Sequence, residues 1–274
     1  MTFNMNKTLS SVFMHENFGE SISDFSQLDT VLKDQEIILN LQRNISHKFK
    51  NMALLYEALT HSSFGHECFG DSKKSYERLE FLGDSVLDLI ITDLLQEKFP
   101  AMVEGKLSKL RASLVNEVSL KELASSLEIE RAVLVGKGEL KAQGNLKSSI
   151  LSDVFEAVLG AIYKDSSLEV SKKSFISIIE NYEKLSGQIY LDEKRLQEFD
   201  SKSRLQEMTM SLFKTLPKYS AKELSNGNFE VEASVLDKFL EKGEFSSKKK
   251  GEQKLAKNII IKIEEYAKRS ANVN

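Results

Sequence analysis

One cysteine, Cys68, occurs in 274 residues, and tryptophan is absent. A disulfide framework and a cysteine-based zinc site are thereby excluded. Proline is nearly missing too, with Pro100 and Pro217 the only two. Long stretches therefore lack a breaker, and helix is expected to dominate. The four histidines, His15, His47, His61 and His66, all fall in the first quarter, without H-x-x-x-H or E-x-x-H spacing. Zincin and di-iron carboxylate sites fit that distribution poorly. No apolar run approaches the ~18 residues of a membrane span. The opening MTFNMNKTLSSVF lacks the basic region and apolar block of a signal peptide. A cytoplasmic protein with no membrane partner is the expectation.

What is present is a chain 41% hydrophobic and 29% charged, apolar enough for ordinary cores. Its length suits one large or two smaller domains. The formal net charge of −3 hides an asymmetry. From Asp200 to Asn274, 15 Lys and Arg stand against 11 Asp and Glu; the remainder holds 23 against 30. An acidic body with a basic tail suits a polyanion held by the tail. Chance accounts for a difference of this size equally well.

Residues 1–35 are polar with weak periodicity and read as a poorly ordered extension, with a short helix near Leu28–Leu41. From 36 to 186 the pattern is helical almost throughout, apart from a predicted loop over Thr60–Lys74. Glu77–Phe99 is the longest predicted helix, stopped by Pro100. Residues 187–200 are mostly charged and read as a linker. In 201–269 the order changes to helix, three strands and a long helix, with turns at Asn226-Gly227 and Asp237-Lys238. Residues 270–274 form a short tail. The fold class is therefore mainly α: an all-helical domain followed by a small α+β domain of order α-β-β-β-α, whose helices cover one sheet face.

The most informative stretch is Glu77-Arg-Leu-Glu-Phe-Leu-Gly-Asp84. At ~100° per residue, Glu77, Glu80 and Asp84 fall within roughly 60° of arc on one helix face. A second pair, Asp153 and Glu156, is spaced i, i+3 in the strongly apolar run Ile150–Gly160. Charges inside an apolar helix are seldom left bare. Packing the two helices together would gather these carboxylates, and an all-oxygen donor set selects a hard cation, Mg²⁺ or Mn²⁺. Such an ion supports phosphodiester hydrolysis. The competing reading is a solvated acidic face, the usual fate of a lone E-x-x-E. Asp88 lies on the same stripe without an assigned role.

These residues carry a resemblance. Glu77-Arg-Leu-Glu-Phe-Leu-Gly-Asp-Ser-Val-Leu87 resembles the signature of bacterial ribonuclease III, and the likeness continues through Ala58–Ser63, Glu104–Leu114, Gly136–Glu139 and Ser149–Gly160. It covers about Glu36 to Arg269. The resemblance implies a homodimeric endoribonuclease, dependent on Mg²⁺ or on Mn²⁺ in its place, that cuts double-stranded RNA to staggered products with 5′-phosphate and 3′-hydroxyl ends. Ribosomal RNA precursors and other structured transcripts are the implied targets, and DNA is not. It makes Glu80, Asp153 and Glu156 the metal ligands, and Asp84 and Glu156 the essential catalytic carboxylates. Glu77 and Glu104 become supporting acidic groups of the same cleft. Phe81 matches an aromatic residue that inserts into the partner subunit; an ordinary core residue is the other reading. Tyr76 stands where many members carry Asn. A protein that binds duplex RNA without cutting it is the alternative, and it would need one of the acidic positions lost.

The tail resembles a double-stranded RNA-binding domain. Its helix opens with three lysines, Ser247-Lys-Lys-Lys250, against a macrodipole that favours anions there. A phosphate held by Lys248 and Lys249 would remove that conflict. Ser203, Gln206 and Glu207 match first-helix positions that touch the minor groove. The loop Leu224–Asn228 is short, and Gly251 and Leu255 replace alanines usual in such domains, predicting a looser last helix.

Overall fold

The computed structural model describes residues 8–15, 22–195, 201–236 and 238–271. Twelve helices among these residues precede the first strand-bearing segment: α1 (Leu9–His15), α2 (Phe25–Leu32), α3 (Glu36–Asn44), α4 (Met52–Leu59), α5 (Ser62–Phe69), α6 (Glu77–Lys98), α7 (Glu104–Leu114), α8 (Glu117–Ser126), α9 (Ile129–Ala132), α10 (Lys137–Lys141), α11 (Ser148–Asp165) and α12 (Leu168–Ser186). They belong to one unit, Met1–Leu191.

At its centre lies α11, because its sequence is apolar nearly all round. Ile150, Leu151, Val154, Phe155, Ala157, Val158, Leu159, Ala161 and Ile162 are all buried. Such a helix cannot lie on a surface. Its neighbours include α6, α8, α4 and α12. The α6 stripe Leu79, Val86, Leu87, Ile90, Ile91, Leu94 and Leu95 is spaced for one buried face. At the crossing of α6 and α11, Gly83 and Gly160 let the backbones touch. A Cβ on Gly83 would collide with the Glu156 carbonyl oxygen, and one on Gly160 with that of Leu79.

Three expectations about this unit need correction. Within the supposed disordered extension, the described residues form α1 and α2, with Leu9, Val12, Phe13, Leu28 and Leu32 buried. The Ser10 hydroxyl donates to Val133 O at 3.0 Å and accepts from Val135 N at 2.9 Å. These helices are too short to stand without tertiary contacts, so local periodicity is weak. Residues 1–7 and 16–21 lie outside the described residues. Secondly, the predicted loop Thr60–Lys74 contains α5. Its N-terminus is capped by the His61 ring, which accepts from Ser63 N, and its apolar Phe64 packs on Phe13. Thirdly, the linker begins later than residue 187. Tyr190 is fully buried, and its hydroxyl donates to Leu114 O at 2.6 Å. Residues 196–200 lie outside the described residues.

The second unit, Asp192–Asn274, has its own core. It contains α13 (Ser201–Phe213), strands β1 (Lys218–Glu223), β2 (Phe229–Val235) and β3 (Phe239–Phe245), and α14 (Lys248–Ala271). The sheet is antiparallel in the order β1-β2-β3, with Ala221 opposite Val231 and Val231 opposite Gly243. Gly227, at φ 80°, makes the first turn at Asn226-Gly227. The second expected turn includes Asp237, which lies outside the described residues. Val231, Ala233 and Val235 meet Leu205 of α13 and Leu255, Ala256, Ile259 and Ile263 of α14. The last helix is not loosened by Gly251 and Leu255. A Cβ on Gly251 would press on Val231 and Phe245, so glycine brings α14 close to the sheet, and Leu255 fills the core.

Candidate active site

The glycine crossing sets the site. Glu80 stands about one turn before Gly83 and Asp84 directly after it; on the facing helix stand Asp153 and Glu156. The four carboxylates act on one another. Burial first, then the charges of Asp84, Glu80, Asp153 and Asp88, push Glu156 up to about 8. Glu80 rises to about 7 through burial and then the charges of Asp153, Glu77 and Asp84. Asp84 is raised by burial and Asp88, and Asp153 chiefly by burial. Two donors moderate Asp153: the Ser152 hydroxyl at 3.3 Å and the Tyr76 hydroxyl at 3.5 Å.

Asp165, near the end of the same α11, shows what a satisfied carboxylate looks like. Burial would raise it, but the backbone N–H groups of Lys50 and Asn51 and the His47 ring hold it below the usual range. Among the described residues, Asp153 has only its two hydroxyl donors, and Glu80, Asp84 and Glu156 have no donor of this kind. Among the described residues, none of the four forms an ion pair with lysine or arginine. A concentration of partly buried negative charge without a cation fits a divalent ion, and oxygen-only donors fit a hard one. The gathering is electrostatic and not a closed cage: among the described residues no three acidic, histidine or cysteine groups already surround one point closely enough to enclose an ion.

The remaining expected residues divide. Glu77 is exposed at the start of α6 and contributes to the field on Glu80. Glu104 is not among the charges that shift the four. It begins α7, accepts from the Ser108 hydroxyl at 2.8 Å, and lines a separate groove with Thr92, Phe99, Met102, Leu107 and Arg111. Asp88 is half-buried, 3.9 Å from Arg111, and its charge reaches Asp84 and Glu156. Phe81 is 80% exposed, which removes its reading as a core residue. Reasoning from sequence missed the Gly83–Gly160 crossing, although both glycines sit inside helical patterns, where a glycine signals close packing. It also assigned no contact from Tyr76 to Asp153.

In the second unit, Lys248 and Lys249 are exposed in the first turn of α14, and the Ser247 hydroxyl accepts from Lys250 N at 3.3 Å. Gln206 and Glu207 are exposed on α13, with Ser203 half-buried beside them. The short β1–β2 turn is tied to β3, since the side-chain amides of Asn226 and Asn228 both donate to Glu244.

Residues 51–183 match a family described as ribonuclease-III-like. The chain is 40% identical over 233 residues to ribonuclease 3 of Aliarcobacter butzleri (strain RM4018), an alignment spanning 82% of this chain and 97% of that protein. It is 41% identical over 221 residues to ribonuclease 3 of Francisella tularensis subsp. holarctica (strain FTNF002-00 / FTA), spanning 79% and 90%. Among solved structures, the nuclease domain of ribonuclease III from Campylobacter jejuni is 41% identical, with a TM-score of 0.49, over 56% of this chain and 97% of that one.

Proposed function

Because the chain belongs to the ribonuclease III family of double-stranded-RNA endoribonucleases, we propose that Glu80, Asp153 and Glu156 hold Mg²⁺, or Mn²⁺ in its place, beside the scissile phosphodiester. Asp84 and Glu156 are the carboxylates on which cleavage depends. The observation that carries this reading is the Gly83–Gly160 crossing, which brings the α6 segment bearing Glu80 and Asp84 against the α11 segment bearing Asp153 and Glu156, with no lysine or arginine paired to any of the four among the described residues. When bound, a divalent cation supplies electrophilic stabilisation to the phosphodiester and makes water a better nucleophile. The protein's share is positional. Gly83 and Gly160 fix the helix separation, and Ser152 and Tyr76 each donate to one oxygen of Asp153, limiting its rotation. Glu77 adds negative charge at the edge. Glu104, in the groove it lines with Thr92 and Arg111, acts on the RNA path or the subunit contact.

The products are staggered duplexes with 5′-phosphate and 3′-hydroxyl ends, and the substrates include ribosomal RNA precursors and other structured transcripts in the cytoplasm. Two copies of the chain act together. Phe81, Leu89 and Val103 are exposed apolar residues, and the groove of about 510 Å³ beside Glu104 is a receptor for Phe81 of a second copy. Lys248 and Lys249 take phosphates, while Ser203, Gln206 and Glu207 meet the minor groove, so the duplex is read by shape.

The test is Glu156→Gln in the full chain. Duplex binding in chelator stays within about twofold while the cleavage rate with Mg²⁺ falls at least about a hundredfold, the scale of losing an essential catalytic group. Full cleavage by that variant refutes the assignment.

A further inference from the structure

In the second unit, three contacts converge on Lys202. Its Nζ meets Glu252 Oε2 at 2.7 Å. Its backbone N–H donates to Gln253 Oε1 at 3.1 Å. The same Nζ lies 4.6 Å from the ring centroid of Tyr219, on β1. Lys202 sits in the first turn of α13, while Glu252 and Gln253 follow the first turn of α14. The start of each helix is therefore fastened to the other.

Glu252 is only 8% exposed. Ion pairs with a buried partner are poor sources of net stability, because the desolvation of the charges opposes their attraction; their better-attested use is to fix register. Here the register has an evident use. Ser203, Gln206 and Glu207 follow Lys202 on α13, and Lys248 and Lys249 precede Glu252 by one turn on α14. The fastening stands between the groove-facing set and the phosphate-facing set. A-form duplex has a fixed distance from its minor groove to the flanking phosphates, so a domain that reads shape needs a fixed distance between its own contacts.

We propose that Lys202, paired with Glu252, is a positioning residue for duplex RNA, setting the spacing between the minor-groove contacts of α13 and the phosphate-binding lysines of α14. The inference rests on the RNA contacts assigned above.

Charge gives the test a sign. Glu252→Met removes a negative charge beside three lysines, so electrostatics alone would tighten RNA binding. Loss of the spacing weakens it. The measurement is fluorescence anisotropy of the full chain with a labelled RNA duplex of about 16 base pairs, the span of such a domain, in chelator to prevent cleavage. Lys202→Met and Glu252→Met are each expected to weaken binding about fivefold, and the double variant no further, since partners in one contact are not additive. Lys202→Arg keeps the pair and binds like the wild type. Each variant is measured well below its own melting temperature, so that a loss of folding is not read as a loss of binding.

Unchanged or tighter binding by Glu252→Met overturns the proposal, as does additivity in the double variant. Weakening by Lys202→Met alone makes Lys202 a phosphate contact and also overturns it. Lys248→Ala with Lys249→Ala separates the two layers of argument. If that variant binds normally, the RNA contacts themselves are misassigned and the spacing role falls with them. If it weakens while Glu252→Met does not, only the spacing role falls.

Discussion

Glu156 sits in surroundings that oppose its own charge, and that has a consequence for pH. In the unfolded chain a glutamate titrates near about 4.3. In the fold Glu80 and Glu156 are pushed up to about 7 and about 8. Between these limits the folded protein holds protons that the unfolded chain releases. Their contribution to stability is complete below the unfolded value and is lost as pH rises through 7 and 8. In chelator, the first unit should therefore melt at progressively lower temperature from pH 6 to pH 8.5. Mg²⁺ at pH 8 should restore the loss, because the ion binds the deprotonated groups and not the unfolded chain. Differential scanning calorimetry decides this; a flat profile without a Mg²⁺ effect would count against the shared site. The acidic residues themselves were legible in the sequence because i, i+3 and i, i+4 spacing fixes a helix face. The groove that Glu104 lines was not, since it depends on how α7 packs beside the end of α6.

Between elements, the decisive contact is α6 on α11. It involves no polar recognition, only two hydrogen-sized side chains and the backbone of the facing helix. Gly83→Ala must push the helices apart or bend one of them. Overpacking of this kind costs about 3 kcal/mol. Urea unfolding should show that loss, and Mg²⁺-dependent cleavage should fall together with it, since Glu156 moves with its own carbonyl. A variant at Gly105, where an added Cβ meets open space, should show neither effect. Helix existence was readable from periodicity, and so was the strand order of the second unit, where Asn226-Gly227 announces a hairpin. The helix α5 was not, because its Phe64 is buried by Phe13, far away in sequence. Nor was the tightening role of Gly251, which depends on Val231 and Phe245 lying beneath it.

For the whole molecule, the two units have separate cores, and the proposed second copy engages the first unit only. Phe81→Asp places a charge where an aromatic ring is proposed to enter a groove on the other copy. Light scattering should report a wild-type mass of two chains at micromolar concentration and one chain for Phe81→Asp, with the melting temperature of the isolated chain hardly changed, because Phe81 is 80% exposed. A wild-type protein of single-chain mass would end the homodimer reading. Two-domain organisation was visible in the change of pattern after residue 200. The outer limits of the first domain were not, because the residues that close it at either end are scattered in sequence.

Those limits matter to anyone handling the protein. The stretch that marks the family, residues 51–183, leaves out buried parts of the first unit on both sides. Cutting there would discard Leu9, Phe13, Ile38 and Leu41 on one side and Tyr190 on the other, all sealed from water. It would strip the hydroxyl of Ser10 from Val133 and Val135 and remove the Phe13 ring from Phe64. A fragment so trimmed would keep every acidic ligand but lose these buried contacts, so a catalytic fragment that retains them starts ahead of Leu9 and stops beyond Tyr190.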